Sequence, residues 1–183
     1  QIIFSEHKNF IVFITFFIVI KNLLISRFLS VPELGINGVT TSFILSFVFM
    51  ILITLVLSSS FVLIQMSLYT KKEIVLRFRD IYAVNSYSFI PYLFGLVFIF
   101  PVELVVLGGD IFSNNPYSFE IKPFISYILI GFELITIIWS FFLIQKSILA
   151  LSANRSYSII ITSAYFISWS AVLFFSSKIV FSI

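Results

Sequence analysis

Cysteine is absent from this 183-residue chain, and histidine occurs once, at His7. The first absence excludes disulfides, thiolate metal sites and cysteine nucleophiles. The second excludes a histidine-based metal cluster. Charge is scarce too: Lys, Arg, Asp and Glu make up 10% of the residues and leave a net charge of +3. The chain contains no Gly-rich phosphate loop, no Gly-x-Ser-x-Gly elbow and no aspartate pair suited to intramembrane proteolysis. Neither enzymatic chemistry nor a cofactor is therefore expected. The one basic segment is too short, and too close to hydrocarbon, to bind nucleic acid.

What the chain does have is hydrocarbon. Hydrophobic residues make up 60% of it, 25 residues are Phe, and its mean hydropathy is +1.15. A soluble domain of this size cannot hide so much apolar surface, because too large a share of it must face water. Lipid is thus the solvent, and membrane lipid the first partner.

Five apolar blocks follow one another: residues 9–29, 41–68, 87–107, 124–148 and 157–175. Each has roughly the 20 residues that a helix needs to cross about 30 Å of hydrocarbon. They are continuous runs and not alternating ten-residue segments, which argues against a β-barrel. The expected fold is all-α: one polytopic membrane domain, residues 1–183, forming a five-helix transmembrane bundle. Lys21 and Arg27 interrupt the first block. Gln1 in place of an initiator Met implies that an N-terminal segment is missing or removed, and no signal peptide is recognisable.

Six charged residues crowd into 71–80: Lys71, Lys72, Glu73, Arg77, Arg79 and Asp80. Ile74, Phe78, Ile81 and Tyr82 recur at helical spacing beside them, and Glu73 and Arg77 stand four apart, a pairing that supports a helix. An amphipathic helix lying on the inner headgroups over 71–86 is expected, acting as an orientation anchor or as a cytoplasmic contact surface through Lys71, Lys72, Arg77 and Arg79. These four cations, with Lys8, Lys146 and Arg155, set seven charges on one side against Lys21, Arg27, Lys122 and Lys178 on the other. That balance favours an N-terminus inside and a C-terminus outside. A bacterial cytoplasmic membrane is the expected setting.

Glu133 is the sharpest single residue, because it stands inside the fourth block, where an ionisable group is costly and marks function by default. Ser126, Ser140 and Ser147 are spaced from it by sevens and share its helix face. Ser156, Ser163, Ser170 and Ser177 form a matching line on the fifth block, so those two helices are expected to pack along their serines. Three roles fit Glu133: a neutral acid bonded to a neighbouring hydroxyl, a proton-relay or carrier group, or a contact for a partner's basic side chain. Pro91 and Pro101 can each break and kink the third helix, and they also suit a helix start. Trp139 and Trp169 fall inside blocks, as packing residues do.

From Arg79 to Pro91 the chain reads Arg-Asp-Ile-Tyr-Ala-Val-Asn-Ser-Tyr-Ser-Phe-Ile-Pro. This resembles the Yip-domain family of Rab-GTPase-interacting membrane proteins and their bacterial relatives. Its mark is an Ala-Tyr-Ser-x-x-Pro-like start to the third of five transmembrane helices, with Ser86 here standing for the Ala. Ile138-Trp139-Ser140 and the stretch from Ala150 to Arg155 look like the family's fourth helix and following inner loop, and the Gly-containing turn usual before the polar segment is replaced by Tyr69-Thr70-Lys71-Lys72. The resemblance covers about residues 41–175. It implies five helices, a cytoplasmic N-terminus and no catalytic residues; some bacterial members accompany ABC-type export systems as accessory subunits.

The leading expectation is a non-enzymatic accessory or scaffolding subunit that associates laterally with other membrane protein subunits. The alternatives are a small carrier or channel subunit working through Glu133, and a supernumerary or organelle-encoded subunit of a respiratory-type complex.

Overall fold

In a computed structural model the chain is helical throughout residues 2–28, 36–67, 78–107 and 118–181 but for breaks of one or two residues, and the structure describes residues 2–28, 36–67, 77–108 and 118–181. Among the described residues, eight α-helices are arranged in the order α1 (Ile2–Phe28), α2 (Ile36–Ser67), α3 (Phe78–Ser88), α4 (Ile90–Phe94), α5 (Phe100–Leu107), α6 (Ser118–Ile121), α7 (Pro123–Ser152) and α8 (Arg155–Phe181), with a π-helical turn, Gly95–Ile99, between α4 and α5.

Four described helical stretches are long and apolar enough to cross a bilayer: Phe47–Ser67, Ile90–Leu107, Pro123–Ser152 and Arg155–Phe175. They fit an integral membrane protein, in which backbone groups must be satisfied within each segment. Within α1 the described apolar stretch, Asn9–Ile25, has Lys21 inside it and is shorter than these four. The described residues thus show four spans where five are expected.

The helices share one core. Ile14, Ile18, Val19 and Leu23 of α1 meet Met50 and Phe61 of α2, Phe89 and Tyr92 around α4, Phe141 and Ile144 of α7, and Tyr165, Trp169 and Leu173 of α8. Aromatic edges dominate it: Phe89, Tyr92, Tyr165 and Trp169 make T-shaped contacts at centroid separations of 5.5–6.2 Å, a favoured geometry for ring quadrupoles.

The segment expected to lie on the headgroups, 71–86, is described from residue 77 onward. Residues 68–76, and with them Lys71 and Lys72, lie outside the described residues. From Phe78 the chain is α3, whose Ile81, Ala83, Asn85, Ser86 and Ser88 are buried. This helix packs against α1, α2 and α7 and leads into the third span through a single turn at Phe89. Its polar residues tolerate burial because each finds a partner. Asn85 and Gln65 exchange amide hydrogen bonds of 3.3 and 3.4 Å, and Ser86 and Ser88 donate to the carbonyls of Tyr82 and Val84. Arg77 and Arg79 remain exposed at its start.

Pro91 and Pro101 both stand in first turns, of α4 and α5, where a missing N–H costs nothing. Pro101 also leaves the carbonyl of Val97 without its helical donor, and the chain accommodates this by widening: the Phe100 N–H reaches back five residues to the Gly95 carbonyl. α7 and α8 form an antiparallel hairpin joined by Ala153 and Asn154 alone. Ala153 adopts a left-handed conformation (φ 52°), and the Asn154 side chain accepts the N–H groups of Ser156 and Tyr157, capping α8.

Candidate functional site

Glu133 meets a cation of its own chain. The Lys21 ammonium of α1 donates to Glu133 Oε2 of α7 at 2.6 Å and to the Tyr92 carbonyl of α4 at 2.5 Å. It also lies 4.1 Å from the centroid of the Tyr92 ring, a cation–π contact. Lys21 is 3% exposed and the Glu133 side chain 20%. Three helices converge on this point, and each contributes something the sequence dictates: α1 a cation, α7 an anion, and the third span a carbonyl at its irregular turn.

Gly95, at the start of the π turn, supplies the space. A Cβ there would collide with the Lys21 ammonium and stand 2.5 and 2.7 Å from the two Glu133 carboxylate oxygens. No larger residue fits without moving the pair. Glu103, two turns further along the same span, lies within electrostatic range of both Lys21 and Glu133. The contact pair itself is one ammonium and one carboxylate.

A shell of neutral hydrogen bonds surrounds it. The Tyr92 hydroxyl donates to Asn22 Oδ1 at 2.8 Å, and the Asn22 amide donates to Thr54 Oγ1 at 3.3 Å. The Tyr92 N–H, which the first turn of α4 leaves without a helical acceptor, donates to Ser140 Oγ of α7 at 2.8 Å. Every one of these side chains is buried. Buried polar groups of this kind are costly unless satisfied, and here they are.

The α7 stripe therefore turns largely toward α1 and the third span. Glu133 meets Lys21, Ser140 caps Tyr92, and Ser126 is buried near the other end of the helix. Ser147 has a buried hydroxyl with no hydrogen-bond partner among the described residues. The line on α8 does not meet it: Ser156 and Ser163 are exposed and Ser170 is half-buried, while the Ser177 side chain lies outside those described. α8 instead presents Ser158, Ile161, Thr162, Tyr165, Trp169 and Leu173 to the bundle. The α7–α8 hydrogen bond is made by Ser158, which donates to the Gln145 carbonyl at 2.6 Å. The reason is size: large aromatic and aliphatic residues at helical spacing bury more area than the serines on the next face. Trp169 is buried as a packing residue, whereas Trp139 is half-exposed on the outside of α7.

Sequence reasoning placed Lys21 among the charges flanking the bilayer. It is inside the bundle, so it leaves the orientation count. The signal was present: one Lys and one Glu, each inside an apolar block, are natural partners for one another. No such signal pointed to Asn22, Thr54 or Tyr92. Among the described residues no group of three or more His, Cys, Asp or Glu side chains is placed to hold a metal. No family model, no curated protein and no solved structure matches the chain.

Proposed function

We propose that the protein is a non-enzymatic membrane carrier or channel subunit whose working group is the Lys21–Glu133–Glu103 centre. The observation that carries this reading is the charge balance. Lys21 pairs with Glu133, and the Glu103 carboxylate lies within electrostatic range of both, so an exchangeable cation or proton would balance the second carboxylate. The surroundings favour exchange: the centre lies at a π turn of the third span, between two prolines. Such π turns recur at functional sites. In this reading α1 is a fifth membrane-crossing helix whose buried cation is neutralised by Glu133, and the N-terminus lies on the cytoplasmic side.

The test is flux into liposomes containing the purified protein under imposed proton, sodium or potassium gradients. Wild-type flux above that of empty liposomes, lost in Glu133→Gln, is the expected result. Flux no greater than in empty liposomes under all three gradients would sink the reading.

A second reading is favoured by the outward face of α7, where Phe124, Tyr127, Phe132, Trp139 and Phe142 are all exposed. An aromatic face of this kind suits lateral packing against another membrane subunit. Arg77 and Arg79 at the start of α3 would extend that contact beyond the bilayer. It matches the accessory role implied by the resemblance of Ser86–Pro91 to the Yip-domain helix start, including accompaniment of an export system in a bacterial cytoplasmic membrane. Co-purification of a stable membrane partner, together with absent flux, selects this reading.

A further inference from the structure

Next to Asn22 a cleft runs between α1, α2, α3 and α8. Its lining is mainly apolar, but polar side chains from three helices contribute: Thr15 and Asn22 from α1, Thr54 and Ser58 from α2, and Tyr82 and Asn85 from α3. Trp169 of α8 lines it too. That residue is only 6% exposed, and its indole N–H finds no acceptor among the described residues. The cleft has room for water-sized guests.

Most of these groups bond to one another or to a neighbour: Thr15 with Tyr82, Asn22 with Thr54, and Asn85 with Gln65. The Trp169 indole N–H does not, and lipid tails offer it no acceptor. Water offers both donors and acceptors, and a site with several converging polar partners is where buried water is found. The helical register fixes how far the cleft penetrates. Thr15 meets the Tyr82 hydroxyl at 3.3 Å, and two turns along α1 Asn22 meets the Tyr92 hydroxyl. The wall thus extends about 10 Å along the helix axes.

We infer that this cleft is a water-filled inlet, leading from the end of the bundle where α3 begins to the Asn22–Tyr92 hydrogen bond. Asn22, which lines the cleft, accepts the Tyr92 hydroxyl. Tyr92 in turn holds Lys21 through its carbonyl and its ring, so this hydrogen bond links the cleft to the charge centre. The hydration stands by itself; its service as an access route rests on the carrier reading.

The test uses a Trp139→Phe protein in liposomes, which leaves Trp169 as the only tryptophan. Exchange of its indole N–H after dilution into deuterated water is followed by ultraviolet resonance Raman spectroscopy. Rapid exchange is expected, slowed at least about tenfold when Val172→Phe or Leu57→Phe fills the cleft from either side. The two fillings enter from different helices, so misfolding of one leaves the other to decide. An indole N–H as protected before filling as after it would overturn the inlet. Flux is read on the same samples. Absent flux with rapid exchange removes the carrier reading and leaves the hydrated inlet standing, whereas flux unchanged by a filling that blocks exchange removes its role as a route.

Discussion

The Lys21 ammonium lies 2.6 Å from Glu133 Oε2 across 112 residues of chain, and Gly95 of a third helix leaves the space in which they meet. Two charges taken out of water together are tolerable. Either one alone is not.

That asymmetry gives the first prediction. Lys21→Met removes the cation and leaves the Glu133 carboxylate without its partner in the bundle, at an expected cost of about 3–5 kcal/mol. The double variant Lys21→Met, Glu133→Leu removes charge of both signs and is expected to cost clearly less than the two single changes summed. Unfolding in detergent micelles measures all three. Additive losses would mean that the two residues are not energetically coupled, contrary to their geometry.

Gly95→Ala tests the space and not the charge. One added methyl group must push aside both the ammonium and the carboxylate, and overpacking of this kind costs about 1–3 kcal/mol. Gly131→Ala is the control, since a Cβ there meets nothing within 4 Å; inside α7 it is expected to be neutral or slightly stabilising. Equal thermal stabilities for the two variants would remove Gly95 from the site.

The sequence made some of this legible and hid the rest, for identifiable reasons. The spans could be read because hydrocarbon crossing needs about 20 apolar residues and little else resembles that. Glu133 could be read because a lone carboxylate in such a run is conspicuous. Its partner was harder, since Lys21 shares its block with Arg27, and such cations are ordinarily taken to reach for headgroups. Helix facing failed on α8. A repeat of seven serines apart is a clean pattern, yet Ile161, Tyr165, Trp169 and Leu173 form an apolar line of greater area that decides which side turns inward. The π turn has a local cause in Pro101, but its position depends on Gly95 accommodating two side chains from distant helices, and no local pattern reports that.

The hairpin between α7 and α8 offers a prediction away from the charges. Ala153 occupies a left-handed conformation that disfavours a Cβ by roughly 1 kcal/mol. Ala153→Gly is therefore expected to raise stability modestly, by about 0.5–1 kcal/mol. Asn154→Ala removes the acceptor for two N–H groups of α8 and is expected to lower stability by about 1 kcal/mol. Opposite shifts in the midpoint of thermal unfolding confirm the turn, and a loss in the Gly variant would contradict its backbone conformation.

Ser140 and Ser163 separate two ways of using a serine in this bundle. Ser140 is completely buried and its hydroxyl oxygen accepts the Tyr92 N–H at 2.8 Å. Replacing it with Ala leaves that donor without a partner in a water-poor interior, and the expected loss is about 1–3 kcal/mol. The disturbance should reach the charge centre, because the Tyr92 carbonyl holds Lys21. Ser163 is exposed on α8, so Ser163→Ala should change stability by less than about 0.5 kcal/mol. If the two helices packed serine to serine, both substitutions would weaken the same interface by similar amounts. Matched losses in the two variants would restore that arrangement; a loss confined to Ser140→Ala ties the α7 stripe to the third span.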